Sequence, residues 1–399
     1  VSIGYSPRTY LPRRRSAWAR FAGRLFGLLG RLDWLLMFSA LALSILGAVL
    51  VWSATRNRSH LTHGDPEYFL KRHLLNLVVG LALGALVLIV DYKILRSYVF
   101  FVYAIVLLGL IAVMTPLGST INGAHSWIVI GGGFSLQPSE FAKLAVIMVT
   151  AMVLSERRDV EDMPADRDVF SALALAAVPM MIIVSLPDLG TTMVVVAILV
   201  GILVMSGVPN KWLIGIVVVG ALGVLAVAEF HLLSQYQVNR FAAFADPKLD
   251  PAGVGYNTTQ ARIAIGSGGL LGKGLFHGSQ TEGSFVPEQQ TDFVFSVAGE
   301  ELGFVGCTLV IVLFGLLLWR CARIATKAED RFGMLVAAGV TCWFAFQAFE
   351  NIGMNVGIMP VAGIPLPFVS YGGSSMFANF MAVGLLQNVH VRRAMLGPG

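Results

Sequence analysis

Between Trp34 and Ala54 the chain runs for 21 residues without a charged side chain, the length a helix needs to cross the hydrocarbon of a bilayer. A signal-peptide core is shorter, so this run reads as a first, retained membrane helix. The pattern then repeats. Apolar runs predict further helices near residues 74 to 90, 97 to 114, 141 to 154, 170 to 186, 189 to 207, 212 to 230, 302 to 318, 334 to 349 and 371 to 389. The expected fold class is an all-α polytopic membrane protein with about ten transmembrane helices. Composition agrees, since 56% of the 399 residues are hydrophobic and 13% charged, against roughly 25% charged in soluble domains. No large soluble domain fits in what is left.

An even number of spans puts both termini on one side. Nineteen of the 28 Lys and Arg fall on that side, eight on the other, and Lys143 lies within a span. Loops rich in Lys and Arg stay in the cytoplasm, so both termini are predicted cytoplasmic. The chain divides into a basic tail (1–33), a single ten-helix unit (34–389) and a short tail (390–399). Arg13, Arg14, Arg15, Arg20 and Arg24 lie just ahead of the first helix, where anionic lipids attract them. The net charge of +5 is therefore read as a membrane feature, with no nucleic-acid partner. Cys307, Cys321 and Cys342 sit in or beside apolar runs, which predicts neither a disulfide framework nor a cysteine metal site. His60 and His63 share a loop while His125, His231 and His277 are scattered, so no protein-built metal site is expected.

Two stretches break the pattern. Residues 231–301 form one long extracytoplasmic loop between the seventh and eighth helices. Tyr236, Phe241, Phe244, Tyr256, Phe276, Phe285 and Phe293 interrupt its polar residues, so it reads as ordered and functional. Residues 357–373, GIMPVAGIPLPFVSYGG, are apolar, but Pro360, Pro365 and Pro367 exclude regular helix. Non-helical backbone at membrane depth is tolerated only against protein or a wet cavity, so this is a packed hairpin or a cavity wall.

Ionisable groups near membrane depth are costly and become candidates. Glu140 and Lys143 are three apart and share a helix face, either as a bracing ion pair or as part of a substrate cavity. Asp188 is better explained as a helix cap. Asp292 lies where the polar loop turns into an apolar helix. Partial desolvation there would raise its pKa, which suits a general base, while a helix cap explains the same position equally well. Glu300 and Glu301 lie one helical turn or more inward, which would let one of them face the same cavity, Glu350 ends the ninth helix, and Arg56 and Arg262 border the same side. Trp127 is an interfacial anchor or a sugar-stacking ring.

Three segments read together resemble the peptidoglycan-polymerising SEDS proteins, whose members include RodA, FtsW and SpoVE. They are GAHSWIVIGGGFSLQPSEFAK (123–143), QQTDFVFSVAGEELGFVG (289–306) and NIGMNVGIMPVAGIPLPFVSYGGSS (351–375). The ten-helix layout and long outer loop match as well, so the resemblance spans nearly everything after residue 30. It implies a glycosyltransferase that polymerises lipid II, the undecaprenyl-pyrophosphate-linked disaccharide-pentapeptide, into glycan strands on the outer face of the membrane. Asp292 matches the family's essential aspartate. Trp127, Glu140, Lys143 and Glu300 match motif positions near its outer cavity, and Ser370, Tyr371, Arg56 and Arg262 join them as substrate-binding candidates. The division branch usually carries a basic residue where this chain has Ala362, which points to the RodA-like elongation branch over an FtsW-like division polymerase. Glu350 is often apolar in relatives.

The chemistry implied is an inverting transfer from an α-linked donor to a β-1,4 product, with one base, Asp292, on the acceptor hydroxyl. Pyrophosphate leaves unprotonated and needs its charge neutralised, by Lys143, Arg56 or Arg262, or by a magnesium or manganese ion held mainly by the phosphates. A groove opening into the bilayer follows. The resemblance also implies a class B penicillin-binding protein transpeptidase as partner, among other elongation-machinery membrane proteins. Two other readings stand beside this one: a lipid II flippase, which would need groups reachable from both faces, and a scaffold without chemistry.

Overall fold

The computed structural model describes residues 29–395 apart from 63, 122–123, 132–133, 157–163, 187 and most of 230–252, where only 238, 240 and 244 are described. The molecule is an α-helical multi-pass membrane protein. Seven of its helices are long and apolar enough to cross a bilayer: α1 (Trp34–Thr55), α2 (Tyr68–Ile89), α4 (Pro138–Ser155), α5 (Asp166–Ser185), α6 (Leu189–Ser206), α10 (Gly303–Thr326) and α11 (Arg331–Val356). Between and after them come α3 (Val99–Val113), α7 (Asn210–Glu229), α8 (Val254–Ser267), α9 (Val294–Glu301) and α12 (Gly373–Met395).

Helix ends follow local chemistry. The carboxylates of Asp33, Asp188 and Asp330 cap α1, α6 and α11 by accepting from the backbone N–H of Leu36, Thr191 and Gly333. Gly207 and Gly357 end α6 and α11 in the left-handed conformation. The expected start of the second helix at residue 74 moves back to Tyr68, because Lys71 and Arg72 lower local hydropathy without breaking the helix.

α4 lies at the centre, with 83% of its apolar window buried, whereas α2 and α5, at 28%, present most of theirs outward. α2 and α12 approach most closely. A Cβ at Gly84 would sit 2.6 Å from the Phe380 carbonyl oxygen, and one at Gly384 would sit 2.2 Å from that of Gly84. Small residues let backbones touch where apolar bulk gives no association in lipid. At one end of the bundle Asp33 ties three helices together: its N–H donates to Gln387, its carbonyl accepts from Gln387, and its carboxylate pairs with Arg320. The start of α1 and the end of α12 therefore share that end.

Two stretches outside the spans carry structure that apolar runs alone do not indicate. The stretch before α4 holds a three-stranded antiparallel sheet, β1 (Gly118–Ile121), β2 (Ala124–Gly131) and β3 (Phe134–Leu136). The described part of 231–301 is largely helical, with α8, a short helix Ser279–Glu282 and α9. Ala261, Ala264, Val286, Phe293, Met354 and Val361 form a separate buried apolar cluster that seats α8 on α11. Of the loop aromatics, Tyr236 and Phe241 lie outside the described residues.

Candidate functional site

Glu288 holds a left-handed backbone, φ 49°, and its carbonyl accepts from the N–H groups of Thr291, Asp292 and Phe293 at 3.2, 3.1 and 3.3 Å. This tight turn presents Asp292 just ahead of α9. Behind it, Asn351 and Asn355 project one turn apart from α11, and both side-chain amides donate to the Asp292 carbonyl, at 2.9 and 3.1 Å. Asn351 also donates to the Ile364 carbonyl, and Asn355 accepts from the Ser296 N–H. The Tyr371 N–H donates to the Gln290 carbonyl at 2.8 Å. Three distant segments, 288–296, 351–355 and 362–371, are thus cross-tied around one residue.

Asp292 as a residue is half-buried, and its carboxyl lies beside Arg240 and Gly363. The Arg240 guanidinium donates to the Ala362 carbonyl at 2.9 Å. Its Nη2 and the Asp292 Oδ2 lie 3.2 and 3.6 Å from where a Cβ on Gly363 would stand. Gly363 has φ 71°, so glycine is required there for conformation and for the approach of both charges. Desolvation by the surrounding protein pushes the Asp292 carboxyl up to about 7, with the negative charges of Glu288 and Asp188 adding to the rise. Arg240 and a hydrogen bond from Thr291 act against it. A carboxyl that titrates near neutrality, on a half-buried residue next to a guanidinium, is equipped to take a proton from a hydroxyl and to stand beside an anion.

Other sequence candidates fall in different settings. Glu140 and Lys143 form a sealed ion pair at 2.9 Å, with side chains 3% and 1% exposed. Lys143 also donates to Gln347 and sits over the Trp343 ring at 4.6 Å, while Gln347 donates to the Pro365 carbonyl. The pair braces α4 against α11 and the proline-rich stretch, and its charges are taken up internally. Glu300 is fully buried. It accepts from the N–H groups of Gln280 and Thr281, the Thr281 hydroxyl and Lys273. Burial alone would raise its pKa, but these donors outweigh burial and lower it. It organises the loop rather than facing the Asp292 carboxyl.

Arg56 donates to the Phe276 carbonyl and to Glu282, and stacks on the Phe276 ring at 4.6 Å, which fastens α1 to the loop. Arg262 is exposed on α8 and lies against Gly357. Trp127 stands in β2 opposite Ser119. Ser370 is buried and accepts from the Leu366 N–H, closing the hairpin ahead of α12, and the Tyr371 ring meets Phe69 edge-on. Glu301 accepts from the Ser53 hydroxyl. Glu350 is completely buried, and neither carboxylate oxygen has a hydrogen-bond partner among the described residues.

Sequence reading missed the groups closest to Asp292. Arg240 figured only in the charge balance, and Glu288 not at all. The usable signal was in α11, where Gln347, Asn351 and Asn355 recur every fourth residue in an otherwise apolar helix. Such a stripe of amides has to face other polar groups. Arg58, 7% exposed, was also missed; it donates to Ser284 and to the Val286 carbonyl and pins the segment leading to Glu288. Among the described residues no group of three or more His, Cys, Asp or Glu could hold a metal ion.

Comparison with known proteins places this geometry in context. The family model FTSW_RODA_SPOVE, described as "Cell cycle protein", matches residues 33–395. The chain is 39% identical to stage V sporulation protein E of Bacillus subtilis, over 90% of this chain and 96% of that protein. It is 36% identical to the peptidoglycan glycosyltransferase MrdB of Escherichia coli, over 92% and 95%. Among solved structures it is similar to a chain from a study of polymerization and crosslinking by a peptidoglycan synthase complex, with TM-score 0.75, 31% identity and coverage of 91% and 98%. It is also similar to the rod shape determining protein RodA of Thermus thermophilus, with TM-score 0.67, 30% identity and coverage of 91% and 97%. Matched from Asp33 through α12, the chain belongs to the FtsW/RodA/SpoVE family.

Proposed function

We propose that this protein is a peptidoglycan glycosyltransferase that polymerises lipid II on the outer face of the cytoplasmic membrane, with Asp292 as general base. The activity follows from family membership; the residue roles follow from the site. The carrying observation is the Asp292 carboxyl, held on a cross-tied backbone and shifted to about 7 beside Arg240. In the reaction Asp292 takes the proton from the acceptor sugar hydroxyl as its oxygen attacks the donor anomeric carbon. The bond to the undecaprenyl pyrophosphate breaks and the centre inverts. Arg240, a guanidinium suited to phosphate oxygens, neutralises the leaving group, and exposed Arg262 guides the lipid-linked anion.

A divalent cation would be carried chiefly by the phosphates of lipid II and would further neutralise the leaving group. On this chain the carboxylates of Asp292 and Glu288, whose charges act on one another, would be the groups to help hold it.

The ten-helix topology, with both termini cytoplasmic and 231–301 outside, is supported by the 19-to-8 division of basic residues and by α1 and α12 ending together. The elongation role is supported at Ala362, which is 8% exposed and packs on Gly190, so a long basic side chain would not fit there unchanged. The protein supplies strands to a transpeptidase-type partner, as the peptidoglycan synthase complex named for a structural relative suggests.

The test is lipid II polymerisation by purified protein with its partner. Asp292→Asn, folded by thermal unfolding in detergent, is expected to lose activity by about 10²- to 10⁴-fold. Equal polymerisation by both forms would return the flippase and scaffold readings.

A further inference from the structure

At the end of the bundle opposite Asp292, the C-terminal turns of α10 and α12 converge on a cavity of about 160 Å³ lined by Arg320, Arg323, Ile324, Lys327, His390 and Arg393. Four cationic side chains meet there, and the charges of Arg320, Lys327 and Arg393 all fall on the His390 ring. Among the described residues one carboxylate answers them: Asp33, bonded to Arg320. Arg323, Lys327 and Arg393 form no ion pair among the described residues. The neighbouring acids are engaged elsewhere, Glu329 with Lys93 and Asp330 with the Tyr92 hydroxyl and the Gly333 N–H. Residues 1–28 hold no acidic side chain in the sequence, and Asp159, Glu161 and Asp162 lie outside the described residues.

Cations at the last turn of a helix are ordinary when they only answer its dipole. Here two helix ends aim theirs into one concavity, and the apolar surface leading to it is equally specific. Val305, Leu309, Val312, Leu316 and Trp319 recur at helical spacing along the outer face of α10. All are exposed except Leu316, which is partly so. The stripe ends at Trp319, half exposed, with the Arg320 and Arg323 guanidinium groups 5.1 and 5.5 Å from its ring. An aromatic at the edge of an apolar stripe marks headgroup depth.

We propose that this cavity binds the phosphate of an anionic phospholipid, its acyl chains lying along the α10 stripe. A basic pocket between helices, opening beside a lipid-facing seam, fits a phosphodiester attached to chains better than a free anion. The assignment to the inner leaflet rests on the orientation proposed above, but binding does not, so the two can fail separately.

The experiment is native mass spectrometry of the full chain in detergent, titrated with phosphatidylglycerol, with phosphatidylcholine and with inorganic phosphate. Wild type is expected to retain phosphatidylglycerol over phosphatidylcholine. The variant Arg323→Gln/Lys327→Gln/Arg393→Gln should bind it roughly 100-fold more weakly, taking the usual contribution of each basic residue. The same-side control Lys93→Gln/Arg167→Gln/Lys211→Gln should change binding by less than about threefold. Equal losses in both variants would mean diffuse charge attraction and overturn the site. Full displacement of phosphatidylglycerol by inorganic phosphate would assign the cavity to a free anion. Wild type that retains both lipids equally overturns the proposal with no variant needed, which covers a triple variant that does not fold.

Discussion

If Asp292 is the base, its charge state governs rate, and its neighbours set that state. With the carboxyl at about 7, the base form is about 10% of the protein at pH 6, half at pH 7 and about 90% at pH 8. Polymerisation at saturating partner should rise close to tenfold from pH 6 to pH 8, whereas an ordinary carboxylate would give a flat profile. The causes of the shift can be separated. Desolvation, the larger cause, stays in place in Glu288→Gln, but a negative charge that raises the pKa is removed, so the midpoint should fall below that of the wild type and the pH 8 to pH 6 ratio should shrink. Arg240→Gln removes the cation that opposes the shift and moves the midpoint up, so the ratio grows while absolute rates fall. The assay is initial-rate lipid II polymerisation across pH 6 to 8, with unfolding followed at each pH. A wild-type ratio within twofold of one, or two variants that leave the midpoint in place, would refute the assignment of Asp292 as the titrating base.

Three further outcomes follow from the packing. Lys143→Met leaves Glu140 buried without its cation and is expected to cost about 3–5 kcal/mol; adding Glu140→Gln should restore much of that, read by thermal unfolding in detergent. Gly363→Ala places a methyl group 3.2 Å from Arg240 and 3.6 Å from Asp292 at φ 71°, and should lower kcat/KM by about tenfold or more, in keeping with 1–2 kcal/mol of left-handed strain. Asn355→Leu removes a donor to the Asp292 carbonyl and the acceptor for Ser296; kcat should fall with little change in KM, measured in the same polymerisation assay.

The helical plan was legible because apolar runs long enough to span a membrane have few alternatives, and the predicted and observed bounds of the helix 189–207 differ by one residue. Asp188 was equally readable, since a carboxylate three residues ahead of Thr191 at a helix start has an evident partner. The sheet at 118–136 was not, because its glycines and serines carry no clear alternation. Arg240 stayed hidden for a different reason: its meaning depends on residues 362 and 363 folding back from more than a hundred positions away. Glu288 lies only four residues before Asp292, but its place beside it depends on a left-handed turn that a glutamate does not announce. Glu140 and Lys143 showed the limit from the opposite direction, because spacing identified the pair but only burial shows that both charges face inward.

The closeness of Gly84 and Gly384 bears on how the protein is made. A bundle whose α2 is seated by α12 remains open until α12 has left the ribosome, about three hundred residues later, and α2 must wait in the bilayer with its glycine face bare. The first helix waits as well, since the N–H and carbonyl of Asp33 find their partner in Gln387. A chain stopped before α12 would present these unpaired surfaces to the membrane's proteases, so α12 closes a bundle that α1 and α2 leave open.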